Sequence, residues 1–493
     1  MSATSPPAGN ALATQATSRA PAASLSARVA TVLLVAAAAV FAAASGQGFA
    51  TGSRMLIALP LVAAVGVVLG VLALTRFGVF VMVMLTIRAS LNLAKLSGSA
   101  AGNTDTNTAA ARGLDATSLF AALFLVAAVM WLAARYREHG LPGSRLRLAL
   151  VVFFLAAALS VLGSGNYQAS ALEALRILAV VVMFVVLEQM MFDRQMMNRL
   201  LAAIFASAVF PVVFTLVGLL TGTAHSEAKG GFTRITGTFG SSNDFGRYLM
   251  VVIIFGVAVY PYVAHRLRRW LGLLLACSAV LLLLTLTLTA LAGTVVGLVV
   301  VGLVQSKRLL VGLAVAGVAT LLFMPQVLSR VTSATGVSTS PTANADAQGS
   351  LFWRFNYWTQ VLPLANSNPV TGIGLNQTQY NTDTAKQPHN DYVRAYVETG
   401  LIGLGAYLAL LLAMLALGRR AVRTSYAGTL DRGVAVGFWG VAVAFVLVSV
   451  AANLISNVVV LWYVFAMGAA ASAVVRRQRE QERALMPTPV SAE

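Results

Sequence analysis

Long apolar runs are the feature that most constrains this 493-residue chain. A helix of about 20 apolar residues crosses the hydrocarbon core of a bilayer, and only helices and closed barrels satisfy their backbone groups there. Charged residues make up 10% of the chain, against about a quarter in soluble domains. We therefore predict an all-α polytopic membrane protein with about 12, and up to 14, transmembrane helices. The candidate runs are 29–45, 55–74, 77–94, 117–134, 148–164, 171–191, 198–221, 246–264, 270–290, 292–305, 309–325, 400–418, 434–453 and 456–475.

Cationic residues are concentrated in alternate short loops, which predicts the orientation of the spans. Loops rich in Lys and Arg stay in the cytoplasm, so the cation-poor loops 96–116, 222–245 and 324–399 face outward. This distribution also explains the net charge of +18 without a nucleic-acid partner. The cationic loops contain Arg135, Arg137, Arg145 and Arg147; Arg194 and Arg199; Arg266, Arg268 and Arg269; Lys307 and Arg308; Arg419, Arg420, Arg423 and Arg432; and Arg476 and Arg477.

Composition and hydropathy divide the chain into segments. The first is rich in Ala, Ser, Thr and Pro and predicts a disordered tail, and the last is polar and charged. The predicted segments are a cytoplasmic tail at 1–27, transmembrane helices at 28–325 with the outer loop 222–245, a large outer loop at 326–399, transmembrane helices at 400–475 and a cytoplasmic tail at 476–493.

The large outer loop contains an aromatic stretch that begins at Ser350. Leu351, Phe355, Trp358 and Leu362 recur at helical spacing, which predicts an amphipathic helix from Ser350 to Asn366. Trp and Tyr suit a helix at the membrane interface. Arg354 is the one cation between Arg330 and Lys386, and it contacts either lipid phosphates or the phosphate of a substrate.

The 222–245 loop combines glycines, Arg234 and a run of helix-capping residues that includes Asn243. Glycine permits close backbone approach, and arginine offers a planar fork that matches phosphate oxygens. A helix that begins near Ser241 directs free N–H groups at an anion. A phosphate site and a plain polar turn explain this loop equally well.

His389 differs from the other three histidines because polar residues surround it just before an apolar helix. Asn390 and Asp391 follow it directly, and Glu398 lies nine residues on. Neutral imidazole near pH 7 can take a proton from a sugar hydroxyl. A lone histidine is more often structural than catalytic, and both interpretations stay open on the residues alone.

Two ionisable residues lie within a predicted span near its outer end. Charges inside spans are costly and mark functional or paired groups. Glu173 and Arg176 are three residues apart, a spacing that allows an ion pair. Arg176 alternatively points into an outer cavity and holds an anion.

Taken together, these motifs resemble those of the O-antigen ligases. His389-Asn390, nine further residues and Gly400-Leu401-Ile402-Gly403 fit the signature of that family. Its wider ligase and polymerase superfamily has an Arg and a Trp four residues apart, here Arg354 and Trp358, then a Pro-x-x-Gly-x-Gly stretch, here 369–374. The Arg234-x-x-Gly237 segment with Asn243 is similar to the family's earlier outer loop. The resemblance covers roughly residues 170–475.

The resemblance implies a GT-C-like glycosyltransferase of the bacterial inner membrane, without a metal or other cofactor. Its donor would be O-antigen on undecaprenyl diphosphate, and its acceptor the lipid A–core oligosaccharide. His389 would be the general base, and Arg234, Arg354 and Arg176 would hold the diphosphate. Asn390, Asp391, Glu398, Trp358 and Asn243 would support them. One direct displacement would invert the anomeric carbon.

Three alternatives remain. An O-antigen polymerase joins the same donor to another lipid-linked repeat and commonly has an Arg, ten residues, Gly motif. Here Gly246 is one position late after Arg234, which favours the ligase. A protein O-oligosaccharyltransferase often has a longer C-terminal region. A transporter of polyprenyl-linked glycans needs no outer histidine.

Overall fold

A computed structural model describes residues 54–92, 116–141, 143–191, 193–229, 231–335 and 350–485. The predicted tail 1–27, the first apolar run, most of the 96–116 loop and the last eight residues lie outside them. The elements are α1 Arg54–Thr75, α2 Phe77–Ile87, α3 Ala116–His139, α4 Arg145–Ser160, α5 Tyr167–Met190, α6 Arg194–Thr221, β1 Ser226–Lys229, β2 Phe232–Ile235, α7 Ser242–Val259, α8 His265–Leu284, α9 Leu288–Gln305, α10 Lys307–Phe323, α11 Pro325–Thr335, α12 Ser350–Val361, α13 Asp391–Thr424, α14 Leu430–Val448 and α15 Val458–Leu485.

The chain divides into two compact units, residues 1–77 and 78–493. In the first unit the described element is α1, an apolar helix of 22 residues. The second unit contains α2 to α15 except for Phe77, together with every predicted site residue. Both units are helical, which confirms the prediction of an all-α polytopic membrane protein.

Ten helices in the described ranges are long and apolar enough to cross a membrane. An eleventh span is formed if α10 and α11, which meet at a bend of 89°, count as one. The prediction of 12 to 14 helices includes the run 29–45, which falls outside these ranges, so the total stays a prediction. The multi-pass character itself is confirmed.

Helix α15 lies at the centre of the second unit. In its apolar window 89% of the residues are buried, and it packs against α5, α7, α13 and α14. The Tyr463 hydroxyl of this helix donates to the Leu85 carbonyl at the end of α2, at 2.8 Å. By contrast, the described side chains of α10 contain no buried residue, as expected for a helix that faces lipid.

Glycines allow α9 and α14 to cross at close range. A Cβ atom at Gly440 of α14 would lie 2.9 Å from the Gly297 carbonyl oxygen of α9. Small residues at such crossings let transmembrane helices approach and gain packing energy that lipid does not supply. The pair α9 and α14 thereby holds α7, which packs against both.

One end of the bundle gathers described parts of the predicted outer loops 222–245 and 324–399 together with the segment 449–457. We call it the loop face; it comprises the described residues of 222–247, 325–335, 350–390 and 449–457, and the contacts described below join these segments. In the first of them β1 and β2 form an antiparallel hairpin. Sequence analysis predicted no strand in this loop, because four-residue strands carry too little periodicity to recognise.

Candidate active site

A break in α13 fixes the geometry of the loop face. Gly400 has φ 66° and ψ −166° inside an otherwise helical element, so the turn before it and the turn after it lose their helical hydrogen bonds. The segment from Pro369 to Gly374 replaces them. The Ile373 and Gly374 amides donate to the carbonyls of Val397 and Glu398 at 3.0 and 3.1 Å. The Leu401 and Ile402 amides donate to Pro369 and Val370 at 2.9 and 3.3 Å.

This exchange explains the glycines of the motif. Gly372 has φ 75° and Gly400 φ 66°, a region that side chains with a Cβ rarely adopt. A Cβ atom at Gly372 would overlap the backbone of Glu398, and one at Gly400 would overlap that of Val370. The two glycines thus let two backbones interlock, and their role is structural.

Glu398 holds the same segment through its side chain. Its carboxylate accepts from the Asn376 amide at 2.7 Å and from the Thr378 hydroxyl at 2.9 Å. It also pairs with the Arg394 guanidinium at 2.8 Å. Only 1% of the side chain is exposed, so Glu398 anchors this segment from within the protein.

Arg394 extends this network to α5. Its guanidinium pairs with Glu173 at 3.3 Å, and Glu173 pairs with Arg176 at 2.8 Å. Two arginines and two carboxylates therefore neutralise one another in the protein interior, where an isolated charge is costly. The ion pair between Glu173 and Arg176 allowed by their spacing is present, and Arg176 keeps one third of its side chain exposed.

His389 lies directly before α13 in a left-handed backbone conformation, with φ 53°. The Asn390 side chain then caps α13 by accepting from the amides of Tyr392 and Val393 at 2.9 and 3.2 Å. The half-buried imidazole meets the ring of Trp353 edge-on, with 5.9 Å between centroids. His389 is thus placed by the turn before α13 and by α12.

Helix α12 is fastened to the chain just before His389. The Trp358 indole donates to the Pro388 carbonyl at 2.7 Å, and the buried Tyr357 hydroxyl bonds the Lys386 carbonyl. The Lys386 ammonium lies 5.3 Å from the centroid of Trp353. The predicted amphipathic helix is therefore present, and its aromatic residues anchor the segment that carries His389.

The segment 452–457, between α14 and α15, also reaches this site. Asn453 Nδ2 lies 3.1 Å from His389 Nδ1. The fully buried Asp391 accepts from the amides of Leu454 and Ile455 at 2.9 and 3.3 Å. Sequence analysis missed this segment, although its polar residues stand out between two apolar runs. Asp391 acts here as an internal anchor.

The start of α7 forms another part of the site. Ser241 caps this helix by accepting from the Asp244 amide at 3.2 Å, which agrees with the predicted capping run. The Glu227 carboxylate of the hairpin accepts from the Ser242 amide at 2.9 Å, so a carboxylate of the chain itself lies at this helix end. Asn457 donates to Asp244 at 2.8 Å and joins α7 to the 452–457 segment. Asn243 is half-buried in the first turn.

Four arginines from different elements converge beside α12. Burial, and then the positive charges of Arg247, Arg330 and Arg234 in that order, lower the pKa of Arg354 to about 10. Arg354 and Arg330 form no ion pair with a carboxylate in the described ranges. We call Arg234, Arg247, Arg330 and Arg354 the arginine cluster.

Neighbouring contacts show how the cluster is assembled. The Arg330 guanidinium lies 5.7 Å from the ring centroid of Phe232, two residues before Arg234, and α11 packs against α12. Arg247 pairs with Asp244 at 3.4 Å. Sequence analysis identified Arg234 and Arg354 but missed Arg247 and Arg330. Arg247 lies just after the predicted capping run, and its charge inside an apolar helix was the available signal.

Eight of the nine predicted site residues thus fall into three neighbouring groups, and the ninth, Asn243, lies in the first turn of α7. His389 and Asn390 lie in the turn before α13, Asp391 is the first residue of α13, and Trp358 of α12 contacts this turn. Arg234 and Arg354 belong to the arginine cluster. Glu398 and Arg176 belong to the ion-pair network. Chemically, the cluster suits a ligand with several negative charges, because such a ligand relieves the repulsion among the guanidinium groups.

Comparison with known families places part of the chain in a described family. The family model described as O-Antigen ligase matches residues 273–408, from within α8 to just beyond the break in α13. The match includes α12, Pro369 to Gly374, His389 and Gly400. No curated protein matches the chain.

Proposed function

The chain belongs to the O-antigen ligase superfamily, and from this premise we propose that it is an O-antigen ligase. Members of the superfamily are glycosyltransferase-like O-antigen ligases or polymerases. We propose that this chain transfers O-antigen polysaccharide from undecaprenyl diphosphate to the lipid A–core oligosaccharide. The reaction would take place on the periplasmic face of the inner membrane, and the loop face would be that side.

The arginine cluster is the observation that carries the proposal. A diphosphate has more than one negative charge, and burial together with the positive charges of the neighbouring guanidinium groups lowers the pKa of Arg354. Charge grows on the diphosphate oxygen as the glycosidic bond breaks, and fixed cations there lower the barrier. In this proposal Arg234 and Arg354 bind the diphosphate, with Arg247 and Arg330 beside them. Arg176 is already paired with Glu173, so its contact with the donor is a weaker proposal.

His389 supplies the base in this proposal. The imidazole takes the proton of the acceptor hydroxyl, and the hydroxyl oxygen attacks the anomeric carbon of the donor. The bond from that carbon to the diphosphate oxygen breaks, and undecaprenyl diphosphate leaves with the electron pair. A single displacement inverts the anomeric carbon. The support for this role is the half-buried position of His389 on the loop face and the matched family signature around it.

The acceptor decides between this function and its alternatives. Full-length protein in nanodiscs receives radiolabelled undecaprenyl-diphosphate-linked O-antigen and either core-bearing lipid A or undecaprenyl-linked repeat unit. We expect label on the core-bearing lipid A, with an inverted linkage. Transfer to the repeat unit alone would identify a polymerase. Movement of the donor across the bilayer without transfer would identify a transporter.

Substitution of His389 tests the base. His389→Gln keeps a polar group of similar reach but accepts no proton at neutral pH, so we expect the rate to fall about 10²–10⁴-fold. Donor binding should persist, because the arginine cluster and the membrane hold the donor. In the unsubstituted protein the rate should decline in acid as the imidazole becomes protonated. A Gln variant with near-normal rate and the same acid limb would remove His389 from the role of base.

A further inference from the structure

The Asn453 side chain hydrogen-bonds a ring nitrogen of His389 in this structure. It follows the short 3₁₀ helix Ser449–Ala451 and lies outside the residues matched by the family model. No sequence motif described above includes it. Its amide Nδ2 and the imidazole Nδ1 are 3.1 Å apart.

The backbone on both sides of this contact is fixed. Asp391, two residues after His389, accepts from the amides of Leu454 and Ile455, the two residues after Asn453. Farther along, Asn457 donates to Asp244 of α7. The amide of Asn453 is therefore presented to the imidazole by an anchored segment, as catalytic positioning requires.

The chemistry of imidazole then limits how the contact works. Nδ1 faces Asn453, so in the proposed reaction Nε2 is the nitrogen that meets the acceptor hydroxyl. In neutral imidazole one nitrogen carries hydrogen and the other carries the lone pair. For Nε2 to accept a proton, Nδ1 must carry hydrogen, and that N–H needs an oxygen to accept it.

The amide of Asn453 can face Nδ1 with either its NH₂ group or its oxygen, since the two are nearly the same size. With the NH₂ group toward Nδ1, the Asn453 Oδ1 atom is buried without a hydrogen-bond partner among the described residues. That orientation also places the hydrogen on Nε2, where it blocks proton acceptance. A half-turn of the amide brings Oδ1 to Nδ1 and frees the Nε2 lone pair.

We infer that Asn453 is a positioning residue whose Oδ1 accepts from His389 Nδ1–H and keeps the lone pair on Nε2. The same contact stays favourable after proton transfer, because the imidazolium donates from both nitrogens. An NH₂ group at that position would instead oppose the charged form. The inference rests on the proposed function of His389 as base, and it follows the logic of catalytic sites in which an asparagine or aspartate orients a histidine.

Other charged groups near His389 bear on its titration. Lys386, on its own segment, stacks on Trp353, which meets the imidazole. Arg354 follows Trp353 on α12 and belongs to the arginine cluster. Asp391 on α13 directs its carboxylate at the Leu454 and Ile455 amides. The segment 452–457 itself carries no ionisable side chain, so Asn453→Leu alters the surroundings of the imidazole without adding or removing a charge.

The tautomer can be measured without substrate. The chain has four histidines, so labelling with ¹⁵N-histidine gives few signals, and His389→Gln identifies the one of interest. Magnetic resonance of the full-length protein in lipid should show hydrogen on Nδ1 and a bare Nε2 in the neutral form. Hydrogen on Nε2 would overturn the inference, and this measurement needs no change at Asn453.

Two substitutions test the contact itself. Asn453→Leu keeps the size but removes the acceptor, so the Nδ1–H preference should disappear and kcat should fall about 10–10³-fold, with donor KM within about twofold. Asn453→Asp keeps an acceptor and adds negative charge, which favours imidazolium. Its acid limb should therefore move to higher pH. Asn457→Leu is the matched control, because it loosens the same segment but leaves the acid limb where it is.

The outcomes separate the two proposals. An active His389→Gln variant would contradict the base itself. An inactive His389→Gln variant with unchanged tautomer and acid limb in both Asn453 variants would contradict the positioning role alone. An acid limb that moves equally in Asn457→Leu would also contradict it, because the effect would then come from the segment and not from the amide.

Discussion

At the scale of the residue, Arg354 shows how neighbours determine what a side chain binds. A guanidinium in water keeps its proton far above pH 10. Here burial and three like charges lower the pKa of Arg354 to about 10, so the charged form is held at a cost. A bound anion would remove that cost, so we expect the site to favour multiply charged ligands.

The first prediction concerns Arg354→Lys. A cationic side chain with a lowered pKa is charged below that pKa and loses its charge as the pH rises through it. Lysine starts from an ordinary pKa of about 10.4, and the same burial and like charges should lower its pKa from there. The variant should lose most activity at pH 7, because the bidentate fork is gone, and lose the remainder as the pH rises through the lowered pKa. Rate measured from pH 6 to 9.5 tests both expectations.

A control separates this effect from a general loss of stability. Arg477 pairs with Asp431 at 2.8 Å at the other end of the bundle, and Arg477→Lys should keep the normal rate and alkaline profile. Detergent stability of Arg354→Lys should equal that of the unsubstituted protein. An Arg354→Lys variant whose rate does not decline between pH 7 and 9.5 would contradict the electrostatic account.

Some residues of the candidate site could be identified from the sequence and others could not. His389, Arg234 and Arg354 stand out because few ionisable groups occur in loops between apolar runs. Arg247, Arg330 and Asn453 lie on three different elements, and only helix packing brings them to the same face. Arg176 shows that residue type and spacing alone do not decide a role, because they allowed both an ion pair and an anion site. The three-dimensional arrangement shows the ion pair with Glu173.

At the scale of the element, the break in α13 explains the glycine motif at Gly400 and in the segment from Pro369 to Gly374. Two turns of helix give up their own hydrogen bonds at Gly400 and take partners from Pro369 to Gly374. The break therefore joins the large loop to a transmembrane helix through backbone contacts. Such contacts are independent of side-chain identity, which leaves glycine as the residue type that the geometry demands.

The second prediction is that Gly400→Ala destabilises the protein. A left-handed φ and overlap with Val370 should cost about 2–4 kcal/mol, and the displaced α13 should reduce activity. Gly405→Ala, five residues along the same helix, meets open space and should be neutral or stabilising by up to about 1 kcal/mol. Unfolding in detergent compares the two. Equal stability would show that the break tolerates a side chain.

Prediction of elements from the sequence succeeded for the long, uniformly apolar helices. Every apolar run in the described ranges corresponds to a helix, because spanning segments must satisfy their own backbone. The predicted run 400–418 nevertheless missed the turns before Gly400, which are polar and buried in protein. The hairpin and the segment 452–457 were missed for a related reason: their partners are distant in sequence, and local periodicity carries no trace of them.

At the scale of the whole molecule, the two ends of the bundle differ in charge. The loop face holds the arginine cluster and the site, while the remaining cationic residues lie mostly in connections at the other end. The asymmetry predicts that the loop face is periplasmic. The helix packing described above is compatible with either orientation of the protein in the membrane, so the orientation must be tested directly.

The third prediction concerns this orientation. In a Cys277→Ser background, Asp383→Cys and Ala427→Cys place exposed thiols beyond the two ends of α13. A membrane-impermeant maleimide should label Asp383→Cys in intact spheroplasts and Ala427→Cys only after lysis. The reverse pattern would place the loop face in the cytoplasm and remove the proposed reaction from the periplasm.

The position of the segment 452–457 also has a consequence for biosynthesis. His389 and Asp391 leave the ribosome more than 60 residues before Asn453 and Leu454, their partners, and Asp244 precedes Asn457 by 213 residues. A chain released before the last two helices would contain the whole family motif yet lack the groups that hold it. The loop face is therefore complete only when the final two helices have been inserted, and we expect incomplete products of translation to be inactive.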